Sequence, residues 1–291
     1  MSPYNRQAED IGNIVALEHV NVFVPDQYLA TIFYVEGMGF TRDPYLMVDV
    51  SNMWINIGQS QFHMPSGPPQ VLRGHVGLVL PDRQALLGRL HGVKDSLAGT
   101  DFGFADCGGF VEVTSPWGNR LRCFEPHPDF GRVSLGMAYV EFEVPVGTAA
   151  GIAAFYRTVL DTRADVSPGA SGPVAVCSVG NHQSFRFRET TETLPPYDGH
   201  HVQIYLANFS EPHRKLHELG LVTEESDQWQ YRFKDIVDPD RGDVLFTIEH
   251  EVRSMTHPLY ARPLVNRDPR QTNRSFAPGH EEWRWHNALS S

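Results

Sequence analysis

The chain has 291 residues with 41% hydrophobic and 11% aromatic content, enough for a buried core and for two domains of ordinary size, which excludes disorder over most of its length. A formal net charge of −11 argues against a nucleic-acid partner, and no apolar run approaches the roughly 20 residues needed to cross a membrane. Three widely spaced cysteines (Cys107, Cys123, Cys177) fit reduced thiols, and the polar Met1–Asp10 segment has no apolar signal core, so a cytoplasmic protein with a small-molecule substrate is expected, with homo-oligomerisation left open.

After an N-terminal segment over 1–13, Leu17 to Val24 alternates, with Val20, Val22 and Val24 on one face and Leu17, His19, Asn21 and Phe23 on the other. Asp26 is a predicted N-cap, Leu29, Ile32 and Phe33 recur at helical spacing, and Gly37 and Gly39 end the helix. Strand material broken by turn residues follows as far as Met64. Pro65-Ser66-Gly67-Pro68-Pro69 is a linker, after which the pattern restarts at Gly74-His75-Val76-Gly77. Asp82 caps a helix with the stripe Leu86, Leu87 and Leu90, and Ser115-Pro116-Trp117-Gly118-Asn119 turns into a last strand ending at Glu125.

The second half repeats the scheme. Ala138 to Pro145 opens it, with Tyr139 where the first unit has His19, and Ile152, Phe155, Tyr156 and Val159 form the next helical stripe. Phe33-Tyr34 and Phe155-Tyr156 occupy matching places, so the halves read as a duplication. The fourth unit opens at His201 and closes on Val244 to His250. The fold class is therefore α+β: four βαβββ units paired into two domains (14–130 and 131–254) with cupped mixed sheets and outer helices. From about Met255 to 291 the periodicity is lost, and an extended arm is expected, anchored by His257, Tyr260 and Trp283.

Histidine opens three of the four units, and Glu125 and Glu249 each end a last strand at nearly the same interval from their histidine. If the opening strands of consecutive units lie side by side, His19, His75 and Glu125 converge as a two-imidazole, one-carboxylate set suited to divalent iron, manganese, nickel or zinc. Asn21 and Cys123 share that pocket by strand parity, and Gln61 or His63 lies near it as a fourth ligand or a substrate contact. In the second half, Tyr139, His201 and Glu249 form either a second, weaker metal site or a degenerate one whose polar remnants bond each other.

The openings Leu17-Glu18-His19-Val20 and Gly74-His75-Val76-Gly77, with the endings Ser115-Pro116-Trp117-Gly118-Asn119…Glu125 and Asp238-Pro239-Asp240…Glu249, resemble the vicinal oxygen chelate superfamily. That group includes glyoxalase I, bleomycin and fosfomycin resistance proteins, and extradiol ring-cleaving dioxygenases. The resemblance covers roughly residues 14–252 and implies a divalent metal ion, with Fe(II) favoured. It carries the metal ligands onto His19, His75 and Glu125, and it implies a substrate with two adjacent oxygens. Dioxygenase-like chemistry is the favoured expectation. A glyoxalase-like lyase or isomerase and a metal-free small-molecule binder of the resistance type are the alternatives.

Overall fold

The computed structural model describes residues 4–46, 49–170 and 172–267 of the chain, so Trp283 and the arm beyond residue 267 lie outside the described residues. The four units appear as expected. The first comprises β1 (Ile14–Asn21), α1 (Gln27–Thr31), β2 (Thr41–Arg42), β3 (Asn52–Ile57) and β4 (Ser60–Pro65). The second is β5 (Gly74–Val79), α2 (Arg83–Val93), β6 (Gly103–Asp106), β7 (Val111–Thr114) and β8 (Arg120–Phe124). The third is β9 (Gly136–Pro145), α3 (Ala149–Thr158), β10 (Ala164–Ser167), β11 (Val174–Gly180) and β12 (Gln183–Thr190). The fourth is β13 (His201–Leu206), α4 (Ser210–Glu218), β14 (Val222–Asp227), β15 (Gln230–Val237) and β16 (Val244–Ser254).

Local chemistry explains the helix starts. The Asp26 carboxylate accepts from the amides of Tyr28 and Leu29, and Asp82 accepts from that of Ala85, so both predicted caps are made. The first helix changes character after Thr31, continuing as a π-helical turn over Ile32–Gly37. Gly39 then takes φ +78, a left-handed conformation that suits glycine.

The strands form two eight-stranded mixed sheets. The first runs β14-β15-β16-β13-β1-β4-β3-β2, the second β10-β11-β12-β9-β5-β8-β7-β6. Within a unit the opening strand pairs in parallel with the last one: β1 with β4, β5 with β8, and β13 with β16. The first and fourth units thus contribute to one sheet and the second and third to the other. Opening strands do lie side by side, but β13 with β1 and β9 with β5, not β1 with β5 as the convergence of His19 and His75 required. Periodicity defines each unit and its buried face but carries no information about which two opening strands pair.

By contacts the chain divides into two compact units. One comprises the described residues up to Leu17 with Glu141–Tyr197 and His201–Tyr260; the other comprises Glu18–Val140 and Asp198–His200 with the described residues from Ala261 on. In the former, Phe142, Tyr156, Phe185, Phe187 and Phe233 are fully buried, with Phe142 stacked on Phe187 at 5.2 Å. His250 sits in this apolar core, stacked on Phe233 at 4.3 Å and bonded through Nε2 to the Tyr156 hydroxyl at 2.6 Å. Burial pushes its pKa down to about 3, so the imidazole is neutral.

In the other unit, Phe33, Tyr34 and Phe62 fill the core behind α1. Its last described residues lie along β2 to β4. Asn56 donates to the Val265 carbonyl, Asn266 exchanges hydrogen bonds with the Gly58 backbone, and the Arg267 amide donates to the Thr41 hydroxyl. The Tyr260 ring meets Tyr205 edge-on at 4.9 Å, and His257 lies 6.3 Å from the same ring.

Candidate metal centre

The predicted ligands do not assemble as one set. His19 is on β1 of the first sheet, whereas His75 is on β5 of the second. Glu125 lies one residue beyond the end of β8 and is exposed. Each nonetheless has a definite setting.

His19 is fully buried. Its Nδ1 lies 3.3 Å from Glu18 Oε2. A carboxylate only accepts, so Nδ1 carries the proton and Nε2 the lone pair, the tautomer a metal ligand needs. Trp54 meets the His19 ring edge-on at 4.9 Å, and His63 does so at 5.7 Å. His63 is in turn stacked on Trp54 at 3.8 Å. Its two nitrogens are held by Asn21 Nδ2 at 2.7 Å and Asn52 Oδ1 at 2.9 Å. An amide NH₂ donates and an amide oxygen accepts, so His63 Nδ1 is the acceptor and Nε2 carries the proton.

Gln61, the register partner of His19, is fully committed to another network. It donates to Asp43 Oδ2 and Asn56 Oδ1 at 3.1 and 2.6 Å and accepts from Arg262 at 3.3 Å. Burial raises the Asp43 pKa, but the hydrogen bond from Arg262 and the amides of Leu46 and Tyr45 outweigh it, leaving the group below the usual carboxylate value. Gln61 is thus a structural bridge between the last described residues and β4.

His201 faces Glu249 across the parallel β13·β16 pair, and Gln203 faces Glu251. His201 Nδ1 lies 3.7 Å from Glu249 Oε1, and Nε2 lies 3.5 Å from Glu251 Oε2. Arg232 bridges the two carboxylates, at 2.7 Å to Glu249 and 2.6 Å to Glu251. Arg253 adds a 2.6 Å contact to the other oxygen of Glu251. Strand β16 runs on to Ser254, beyond the His250 end expected from the sequence, and so brings Glu251 onto the same face as Glu249. The alternation Glu249-His250-Glu251 was the available signal for this second carboxylate.

His201 and Glu251, both buried, stand on the paired strands β13 and β16 of one compact unit, and His19, also buried, lies in the other. Imidazole and carboxylate are donors that divalent iron, manganese, nickel or zinc accepts, and the Glu18-fixed tautomer of His19 leaves Nε2 as its donor atom. Sequence reasoning named His19 and His201 as candidates in separate sites and did not name Glu251.

The residues of the second sheet are arranged differently. His75 Nε2 lies 3.2 Å from the Tyr139 hydroxyl, with the rings edge-on at 5.5 Å. Tyr139 packs with Val79, Val133 and Ala138, with Phe124 and Phe130 against the cluster. Tyr139 therefore stands with His75, whereas His201 and Glu249, its expected partners, belong to the first sheet. Glu141 accepts a bidentate fork from Arg188 at 2.6 and 3.0 Å. Cys123 is buried on β8, and burial pushes its thiol well above the ordinary range, so it remains protonated and inert.

No family model and no curated protein matches this sequence. Solved structures do. A proposed dioxygenase of Bacillus subtilis aligns with a TM-score of 0.55 at 13% identity, covering 83% of this chain and 86% of the other. Glyoxalase I from Zea mays aligns with a TM-score of 0.54 at 13% identity, covering 82% and 92%. No helix among the described residues is long and apolar enough to cross a membrane.

Proposed function

From the vicinal oxygen chelate fold that these likenesses establish, we propose that the chain is a metal-dependent enzyme acting on a small substrate with two adjacent oxygens. In this reading His201 and Glu251 hold the ion. The observation that carries it is a buried histidine 3.5 Å from a buried carboxylate on the paired strand. When bound, the ion acts as a Lewis acid toward the paired oxygens of the substrate.

The other compact unit carries a histidine centre of its own, around His19. Glu18 keeps the proton of His19 on Nδ1. Trp54 offers its indole as an apolar wall and fixes the plane of His63 by stacking. His63, half-buried, presents its Nδ1 lone pair to Asn21 and can take a substrate hydroxyl proton there once the amide turns away. Ring-cleaving dioxygenase chemistry is favoured over glyoxalase chemistry. Gln61, the expected candidate for a further ligand, is held by Asp43, Asn56 and Arg262 and supplies none, which leaves open positions on the ion.

A metal-free small-molecule binder is the second reading, favoured by one observation: both oxygens of Glu251 are already ion-paired with arginines. Metal analysis separates the two. Expression in iron- and manganese-supplemented medium, followed by elemental analysis, is expected to give about one ion per chain in the enzyme reading. A metal-free product that gains nothing on reconstitution sinks it. A catechol and α-ketoaldehyde turnover screen on the loaded protein then distinguishes ring cleavage from isomerisation.

A further inference from the structure

The carboxylate proposed as a metal ligand is already neutralised. Glu251 is 3% exposed; its Oε2 takes a 2.6 Å charge-assisted bond from Arg232, and the Arg253 guanidinium lies 2.6 Å from its Oε1 as an ion pair. The guanidiniums are themselves held. Arg253 Nε donates to Gln230 Oε1 at 2.8 Å, and the second Nη of Arg232 is fixed on Glu249 at 2.7 Å. Lys234 lies 3.5 Å from the other oxygen of Glu249. Two carboxylates thus face three cations, before an exposed Glu224 at 3.7 Å from Arg232 is considered. A divalent ion arriving beside His201 meets no excess negative charge. It must share or displace a guanidinium at Glu251 in a setting where water screens poorly.

We infer that Arg232 and Arg253 are positioning residues that set the metal occupancy of this site, acting through Glu251 by competition with the ion. The inference rests on Glu251 being a ligand. Its consequence is specific: removing either guanidinium strengthens metal binding, whereas a merely structural role leaves it unchanged or weakens it. The fork geometry matters at Arg232, which bridges two carboxylates. A lysine there keeps the charge but makes one contact in place of two.

The test is Mn(II) binding to the chelator-stripped full-length protein, read as loss of the free Mn(II) electron paramagnetic resonance signal. R232Q and R253Q are expected to bind Mn(II) roughly tenfold more tightly than the wild type, the scale on which outer-shell partners move metal affinity. R232K is expected between wild type and R232Q. Affinities equal to or below wild type in both glutamine variants overturn the inference while leaving the metal-enzyme reading intact. A wild type that binds nothing while R232Q binds upholds it and identifies the arginines as what keeps metal out. Binding by none of them overturns both. Because loss of a buried ion pair can unfold a variant, the wild type supplies a second measurement. On titration with Zn(II), the arginine side-chain nitrogen resonances absent from the spectrum of R232K are expected to shift as the ion binds, and resonances that stay fixed through saturation overturn the inference.

Discussion

The two sheets are built from the same unit and differ in what they leave for chemistry. In the first, β1, β13 and β16 present two buried imidazoles and a buried carboxylate. In the second, the histidine on β5 is bonded to a phenol, and the carboxylate on β9 is taken by a bidentate arginine. Tyr139 occupies space as well as hydrogen bonds: a Cβ added at Gly77 would fall 2.0 Å from its ring. The difference lies in a few side chains on a shared backbone plan, consistent with the general rule that function is grafted onto folds.

The largest effect separates the two histidines. His201→Ala is expected to abolish metal binding, and His75→Ala to leave it at the wild-type level, by elemental analysis after identical loading. Equal loss in both variants would break the contrast between the sheets.

Next comes acid sensitivity, which the first sheet owes to His250. Its folded pKa of about 3 lies below the ordinary histidine value, so above about pH 6.5 the imidazole is neutral in both folded and unfolded chains. Below that pH the unfolded chain takes a proton that the folded core refuses. Stability is therefore lost as pH falls from about 6.5 toward 3, by about 3 kcal/mol at pH 4 from this group. Urea unfolding at pH 7 and pH 4 measures the drop. His250→Phe is expected to shrink it, and an unchanged drop in that variant contradicts the assignment.

Smaller again is Gly77→Ala. The new methyl must push aside the Tyr139 ring in a packed cluster, at a cost of about 1–3 kcal/mol. Chemical denaturation reads it, and Gly77→Ala combined with Tyr139→Ala is expected to cost less than the sum of the two single changes. Strict additivity would show that the two residues do not share the space.

The least is at the helix starts. Asp26→Ala and Asp82→Ala each remove a made cap and should cost about 1 kcal/mol. Thr148→Ala, where α3 has no side-chain cap, is expected to cost less. Thermal melts compare the three, and an equal loss at Thr148 refutes the capping argument.

The elements were legible because their causes are local. Alternating valines at Val20, Val22 and Val24 marked β1, and the carboxylates of Asp26 and Asp82 marked helix starts that the backbone amides then used. His19 and His201 stood out as candidates because histidine recurred at one place in the repeat. Two things were not local. Which opening strands share a sheet is decided by packing over long sequence separations, and this moved His75 away from His19. Where a last strand stops is decided by what it pairs with. β8 ends at Phe124 and leaves Glu125 outside, whereas β16 stays paired with β13 and β15 through Arg253 and carries Glu251 inward. A misjudged strand end of a few residues was enough to hide the second carboxylate beside His201.

The close approach at Gly77 also bears on the order in which substitutions can accumulate. Tyr139 in its present position is incompatible with any side chain at residue 77. A lineage in which β5 carried a larger residue there had to lose it before, or together with, the arrival of the tyrosine. The reverse route carries the same strain: a side chain regained at position 77 must push the phenol aside. That ordering can be tested in reconstructed ancestral sequences.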